Sequence, residues 1–300
     1  MQLEFHKPQL EDKAKFNKAM RVNGDINSES AFGTSYVWSD VYELKICIKD
    51  GLVFKMLADG SKGYEFPKGT KDTTVLKEAV DCLIEDHAKR KGGIFKFSEL
   101  LEYEVSLLEE MYPNRFSYVP NRNEFEYIYD ISDLANLTGK KYHSKRNHIS
   151  KFTKLYDWEY CSVSNSNLNE CLEFFEKWFG VNNPGEKMEN INEYIAIKKT
   201  ISNYESLEFI GGMIKIEGNI IACTIGERIN HSTLLVHFEK ALSEFEGAYS
   251  VINNEFCKKC EQDYKLVNRE EDLGIPGLRK SKLSYKPKIL LKKYNAKLED

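Results

Sequence analysis

No stretch of the 300 residues approaches the roughly 18 uninterrupted apolar positions that a membrane-crossing helix needs. The opening Met1-Gln-Leu-Glu-Phe-His-Lys-Pro lacks a positive segment followed by an apolar one, so no signal peptide is read. Surplus positive charge is absent as well: 43 Lys and Arg face 47 Asp and Glu, for a formal charge of -4. That balance argues against a duplex-DNA binder, whose affinity grows with the phosphates it neutralises, and leaves open only a local basic groove. Gly-x-x-x-x-Gly-Lys-Ser/Thr and Gly-x-Gly-x-x-Gly are both missing, which removes support for nucleotide hydrolysis and dinucleotide binding. The seven cysteines are odd in number and scattered, as expected of reduced thiols in a cytoplasmic protein. The close pair Cys257-Lys-Lys-Cys260 has no second Cys or His pair at matching spacing, so no metal site is assigned and the two read as small helix residues.

What is present is an ordinary folded composition, 41% apolar and 30% charged, in a chain about twice the common domain length. Residues 1 to about 30 read as polar and helical. Tyr42 to Lys49 alternates, Asp50-Gly51 signals a turn and Leu52 to Leu57 returns, which predicts a β-hairpin. Thr73 to Arg90 has helical spacing and stops at Gly92-Gly93. Helix is predicted over 98–111, 132–156, 166–180 and 187–206, strand over 124–130. Strands then cluster over 209–216, 220–227 and 232–239, followed by a helix over 247–262, Lys265 to Asn268 as strand, a helix near Leu278 and a last strand around Ile289. Hairpins followed by a helix and a returning strand make an α+β sheet domain. The expected division is 1–130 and 131–300, the first half a degenerate version of the second.

Three places stand out chemically. Gly139 to Lys154 holds six Lys or Arg, two His and no acid. On a helix, Tyr142, Ile149, Phe152 and Tyr156 form one apolar arc with Lys145 inside it and Arg146 at its edge. A cation inside an apolar stripe needs a partner, so Lys145 and Arg146 either bind an anionic ligand or snorkel and pair internally. His143 and His148 read as surface or network residues. On the strand 232–239, His237 and Glu239 are two residues apart and so share a face, where a carboxylate and an imidazole can handle a proton in acyl transfer. The bland alternative is a half-exposed strand. Asn253, on the next helix, either orients a carbonyl or caps a packing layer. Finally, Asn268 to Pro287 runs from a strand end through a Gly/Pro turn into a helix whose first turns carry Arg279 and Lys282, an arrangement suited to an anion or to plain solvation.

Gly139-Lys-Lys-x-His-x-Lys-Arg-Asn-His-Ile-x-Lys-Phe152, Asn268-Arg-Glu-Glu-Asp-Leu-Gly274 and Gly277-Leu-Arg-Lys-x-Lys-Leu-Ser-Tyr-x-Pro287 resemble a bacterial family related to the C-terminal domain of phosphatidylglycerol lysyltransferase. His237-Phe-Glu-Lys-Ala241 and Gly247-Ala-Tyr-x-x-Ile-Asn-x-Glu-Phe256 resemble it too; the resemblance is weaker before residue 65, where only Tyr36-Val-Trp38 carries it, and Phe66-Pro-Lys-Gly69 lies just beyond. The resemblance implies two tandem GNAT-like domains, each a mixed, mainly antiparallel sheet flanked by helices, a fold shared with the Fem aminoacyltransferases. It implies transfer of an acyl or aminoacyl group, from acyl-CoA or aminoacyl-tRNA, to an amine or hydroxyl. Lys145, Arg146, Arg269, Arg279 and Lys282 would then contact phosphates or carboxylate, and Glu239 would be the base. No tightly bound cofactor is expected; the partners are a small-molecule or aminoacyl-tRNA substrate, and the oligomeric state stays open. The Gln/Arg-x-x-Gly-x-Gly/Ala turn that cradles coenzyme A in ordinary GNAT enzymes is missing, which favours aminoacyl-tRNA. The alternative is a noncatalytic module that binds a small anion or RNA.

Overall fold

The computed structural model describes residues 2–90, 93–182 and 188–299, and divides the chain into two compact units. The strands are β1 (Leu44–Lys49), β2 (Leu52–Leu57), β3 (Gly63–Tyr64), β4 (Lys96–Leu101), β5 (Phe116–Pro120), β6 (Glu126–Asp130), β7 (Trp158–Ser162), β8 (Ile210–Ile216), β9 (Asn219–Asn230), β10 (Thr233–Ala241), β11 (Leu266–Asn268), β12 (Ile289–Leu291) and β13 (Lys293–Leu298).

The first unit comprises residues 1–126, 271–276 and 290–300 and carries a six-stranded sheet in the order β1-β2-β3-β4-β13-β5. The hairpin of β1 and β2 is as predicted: Lys49 pairs with Leu52, and Asp50 and Gly51 both take positive φ, the signature of the tight turn whose twist suits two antiparallel strands. The helix Thr73–Arg90 also matches, started by Asp72, whose carboxylate accepts from the backbone N–H groups of Thr74 and Val75; of the Gly92-Gly93 stop, Gly92 lies outside the described residues. The helix expected over 98–111 begins later, at Glu102, because Lys96–Leu101 is drawn into the sheet beside β13. Gly69 has φ +120°, and a Cβ there would stand 2.2 Å from the Gly51 carbonyl oxygen, so only glycine permits this crossing. Phe54, Met56, Tyr64, Leu83 and Phe97 lie in its core.

The expected boundary at 130/131 differs from this grouping, since the chain's end returns to the first unit. The reason is β13, which pairs antiparallel with both β4 and β5. Its Lys293, buried at 1% exposure, sits 2.7 Å from Glu29, 2.8 Å from Glu99 and 2.5 Å from Glu126. A buried ammonium is tolerated only with such partners.

The second unit, residues 127–270 and 277–289, holds a seven-stranded sheet in the order β12-β6-β11-β10-β9-β8-β7. Strands β7 to β10 form an antiparallel meander, whereas β10 and β11 are parallel. A parallel pair needs a crossover, supplied by the helix Ala248–Cys260. The helix expected over 132–156 is two, Ile131–Asn136 and His143–Leu155, parted at Leu137 and Gly139, which both take positive φ. The helices expected over 166–180 and 187–206 are Leu168–Asn182 and Met188–Ser202; residue 187 lies outside the described residues. Tyr127, Tyr129, Val236, Phe256, Cys257 and Val267 pack into one core. Each unit is thus a mixed sheet flanked by helices, the expected tandem α+β architecture. The seven cysteines are free thiols, and no metal-holding group of His, Cys, Asp or Glu occurs among the described residues. Among them, too, no helix is long and apolar enough to cross a membrane.

Candidate functional site

Within the second unit, Glu239 near the end of β10 and Arg269 just past β11 are brought together by the parallel pairing of the two strands, in which Leu235 stands beside Asn268. Arg269 Nη2 donates to Glu239 Oε1 at 2.6 Å. Asn253, on the crossover helix and 1% exposed, donates from Nδ2 to Glu239 Oε2 at 3.1 Å. Both carboxylate oxygens are therefore engaged, and Glu239 serves to hold Arg269 and Asn253. Two atoms of this group remain buried without a hydrogen-bond partner: Arg269 Nη1, a donor, and Asn253 Oδ1, an acceptor. Buried polar atoms in folded proteins are nearly always bonded, so an open donor and an open acceptor on the two partners of Glu239 set this group apart.

Lys145 completes the cluster. The helix His143–Leu155 buries Phe152 and, just before it, Tyr142 is buried too, so the apolar arc read from the sequence does face inward and carries Lys145 with it. Gly247 makes room for this helix: with φ +98°, it would bring a Cβ to 2.8 Å from the His148 carbonyl oxygen. Lys145 Nζ lies 3.7 Å from the centre of the Tyr285 ring, and Arg269 Cζ lies 5.0 Å from the same centre. Among the described residues no carboxylate pairs with Lys145. Burial, followed by the neighbouring Arg269 charge, lowers its pKa to about 8, Glu239 acting weakly the other way. Burial would lower Arg269 too, but Glu239, followed by Tyr129, Tyr285 and Cys257, together outweigh burial and keep the guanidinium charged. Two cations with one carboxylate between them leave an excess of positive charge in a half-closed place.

The other sequence candidates take different positions. His237 was expected to share a face with Glu239, but a register shift between Val236 and Phe238 leaves it as the extra residue of a β-bulge and breaks the two-residue alternation. Its side chain is fully buried, with Nε2 donating to Glu227 at 2.8 Å and Nδ1 to Glu270 at 2.9 Å. Burial alone would lower its pKa, but bonds to the two carboxylates raise it to about 10. An imidazolium with both nitrogens donating has no lone pair for a proton, and in this geometry His237 clasps Glu227 and Glu270. Arg146 donates to the carbonyls of Leu137 and Gly139, where it closes the end of the preceding helix. Lys282, 8% exposed, donates to the Arg269 carbonyl and so supports the site from behind; Arg279 is half-buried on the same helix, Pro276–Ser284. His143 bonds Asn147 and His148 is exposed, a surface pair as expected. The sequence reading passed over Tyr129 and Tyr285, which flank Arg269, and Glu227 and Glu270, which hold His237. Tyr285 lies inside a quoted motif, but nothing in the spacing tells a ring that packs a cation from a core ring.

The family model for the phosphatidylglycerol lysyltransferase C-terminal region matches residues 22–297. A conserved protein of unknown function from Bacteroides thetaiotaomicron is 36% identical, with a TM-score of 0.92 over 99% of this chain and 100% of that one. L-PGS from Bacillus licheniformis is 16% identical, with a TM-score of 0.66 over 99% and 93% of the two chains. FemX is 10% identical with a TM-score of 0.60 over 97% of each; these two likenesses establish the fold. An uncharacterized protein of Mycoplasmoides gallisepticum is 23% identical over 201 residues, which span 66% of this chain and 60% of that relative. On the extent of the matched model, the chain belongs to the phosphatidylglycerol lysyltransferase C-terminal family.

Proposed function

We propose that the second unit transfers an aminoacyl group from aminoacyl-tRNA to an amine or hydroxyl acceptor. The observation that carries this reading is the pair of buried, unpartnered atoms beside Glu239: Arg269 Nη1 and Asn253 Oδ1. An aminoacyl ester supplies what each lacks, a carbonyl oxygen for the guanidinium and an N–H of its α-ammonium for the amide oxygen. A plain acetyl group supplies only the first.

In the step proposed, the acceptor nitrogen or oxygen attacks the ester carbonyl carbon. The carbonyl oxygen takes up negative charge between Arg269 Nη1 and the Lys145 ammonium. The ester C–O bond then breaks, and the proton lost by the acceptor ends on the released ribose oxygen. Donors fixed where charge develops are the main source of rate in acyl transfer, each worth about 10²- to 10³-fold. Glu239 keeps Arg269 aimed and balances one of the two positive charges. No cofactor beyond the co-substrate is needed. The missing coenzyme A turn supports tRNA over acyl-CoA as donor. The family's name makes a lysyl group and phosphatidylglycerol the first donor and acceptor to try.

The test is discharge of a mixed aminoacyl-tRNA pool by the full chain, with a panel of amine and hydroxyl acceptors. Turnover above the buffer rate that is lost in Lys145→Met supports the reading; no discharge and no labelled product from any acceptor refutes it. A second reading, a module that binds a small anion without turnover, draws on the full engagement of Glu239 and His237, which leaves neither as a base. It predicts ligand binding that survives Glu239→Gln and no product.

A further inference from the structure

We propose that His237 is a positioning residue, which through Glu270 fixes the direction in which Arg269 presents its guanidinium. Arg269 and Glu270 are consecutive, at a place where the chain leaves β11 and Glu270 takes a positive φ of 52°. A glutamate in that conformation is strained unless its surroundings hold it there. Here it is held on several sides. Its N–H donates to Asn268 Oδ1 at 2.8 Å, its carbonyl accepts from the Tyr127 N–H at 3.2 Å, and its carboxylate receives His237 Nδ1 at 2.9 Å.

His237 is in turn fixed from the far side by Glu227, 5% exposed, and packed edge-on against Phe209 with ring centres 5.7 Å apart. The bulge in β10 is what turns His237 out of the strand's alternation toward this clasp, while Glu239, two residues on, stays with Arg269. One strand therefore grips two consecutive residues of the next segment, the first by a carboxylate and the second by an imidazolium. Loss of the imidazolium removes the cation that His237 places between Glu227 and Glu270, and the two carboxylates then repel each other. That repulsion loosens one of the ties on the strained Glu270, and with it the aim of the Arg269 side chain beside it. The same argument explains why a histidine with no lone pair to take up a proton occupies the strand next to the site.

The inference concerns how the site is held and stands apart from which group is transferred, so its test uses no substrate. Lys145 reports on Arg269, whose charge helps to lower it to about 8. Its titration is followed in the full chain by NMR of ¹³C-labelled lysine, with Lys145→Met to assign the signal and Arg269→Gln to give the upper limit of the shift. In His237→Gln the midpoint is expected to rise by about half a unit or more towards the ordinary lysine value, as Arg269 moves off. Glu270→Gln, which keeps the His237–Glu227 bond, is expected to shift it the same way and decides the matter if His237→Gln does not fold. A midpoint that stays at about 8 in the folded variants overturns the proposal. So does a wild-type midpoint at the ordinary value, since Lys145 would then not sense Arg269.

Discussion

Arg269 Nη2 donates to Glu239 Oε1 across 2.6 Å, and this bond joins the end of β11 to β10 inside the second unit. The side chains are 11% and 9% exposed, so breaking the pair strands a buried guanidinium. Glu239→Ala is expected to cost about 3–5 kcal/mol in urea unfolding. Glu239→Gln, which keeps an oxygen acceptor, should cost less. If Glu239→Ala unfolds at the wild-type midpoint, the pair does not hold the site.

Lys145 carries the opposite signature. Its pKa falls from 10.5 to about 8 on folding, so the charged form is penalised in the folded state. The penalty is fully present below pH 8 and fades as pH rises from 8 towards 10.5. Lys145→Met should therefore stabilise the chain at pH 7 by roughly 1 kcal/mol, after discount for its partial exposure, and the gain should vanish near pH 10.5. The same variant should lose anion binding, a trade of function against stability. Thermal melts at pH 7 and 10.5 measure it; destabilisation at pH 7 contradicts it.

His237 gives an alkaline signature. Its pKa rises from 6.5 to about 10, so its contribution to stability is complete below pH 6.5 and is lost as pH climbs through 10. Wild-type stability should fall across that window more steeply than that of Glu227→Gln, where one of the two carboxylates that lift the histidine is neutral. Denaturant midpoints between pH 6 and 10.5 decide it; parallel curves contradict it.

In the first unit, Lys293 is shared by Glu29, Glu99 and Glu126. Burial lifts Glu99 well above the ordinary carboxylate range, against the pull of Lys293. A raised carboxylate loses stability as pH rises from its unfolded value through its folded one. Glu99→Gln should thus be more stable than wild type at pH 8 and lose that advantage near pH 4. Lys293→Met, which takes the shared cation from the buried Glu126 and the partly buried Glu29 and Glu99, should cost about 3–5 kcal/mol or prevent folding. Circular dichroism melts of both variants test this, and a Lys293→Met chain as stable as wild type refutes it.

The fold was legible where local signals and the sheet agree. The hairpin at Asp50-Gly51 and the helix Thr73–Arg90 follow from turn chemistry, capping and spacing alone. Residues 98–101 read as helix but belong to β4, because their strand state is set by β13, nearly 200 residues away. The return of the chain's end to the first unit is hidden for the same reason, since pairing across such separation leaves no local trace. In the site, helical periodicity placed Lys145 on the inward arc correctly. The period of two misplaced His237, because a bulge at one residue shifts the face and the sequence does not mark it. Glu239 was singled out, but its two bonds, and hence its role as a holder of Arg269, depend on the parallel pairing of β10 and β11.

In the proposed reaction Arg269 Nη1, Asn253 Oδ1 and Lys145 receive an aminoacyl end. The most direct measurement is a thermal-shift titration of the full chain with a nonhydrolysable 3′-aminoacylamido-adenosine, beside coenzyme A and acetyl-CoA. The account predicts saturable stabilisation by the aminoacyl analogue, lost in Arg269→Lys and in Lys145→Met, with no response to either coenzyme. Stabilisation by coenzyme A with none by the analogue, or an unchanged response in both variants, would contradict it.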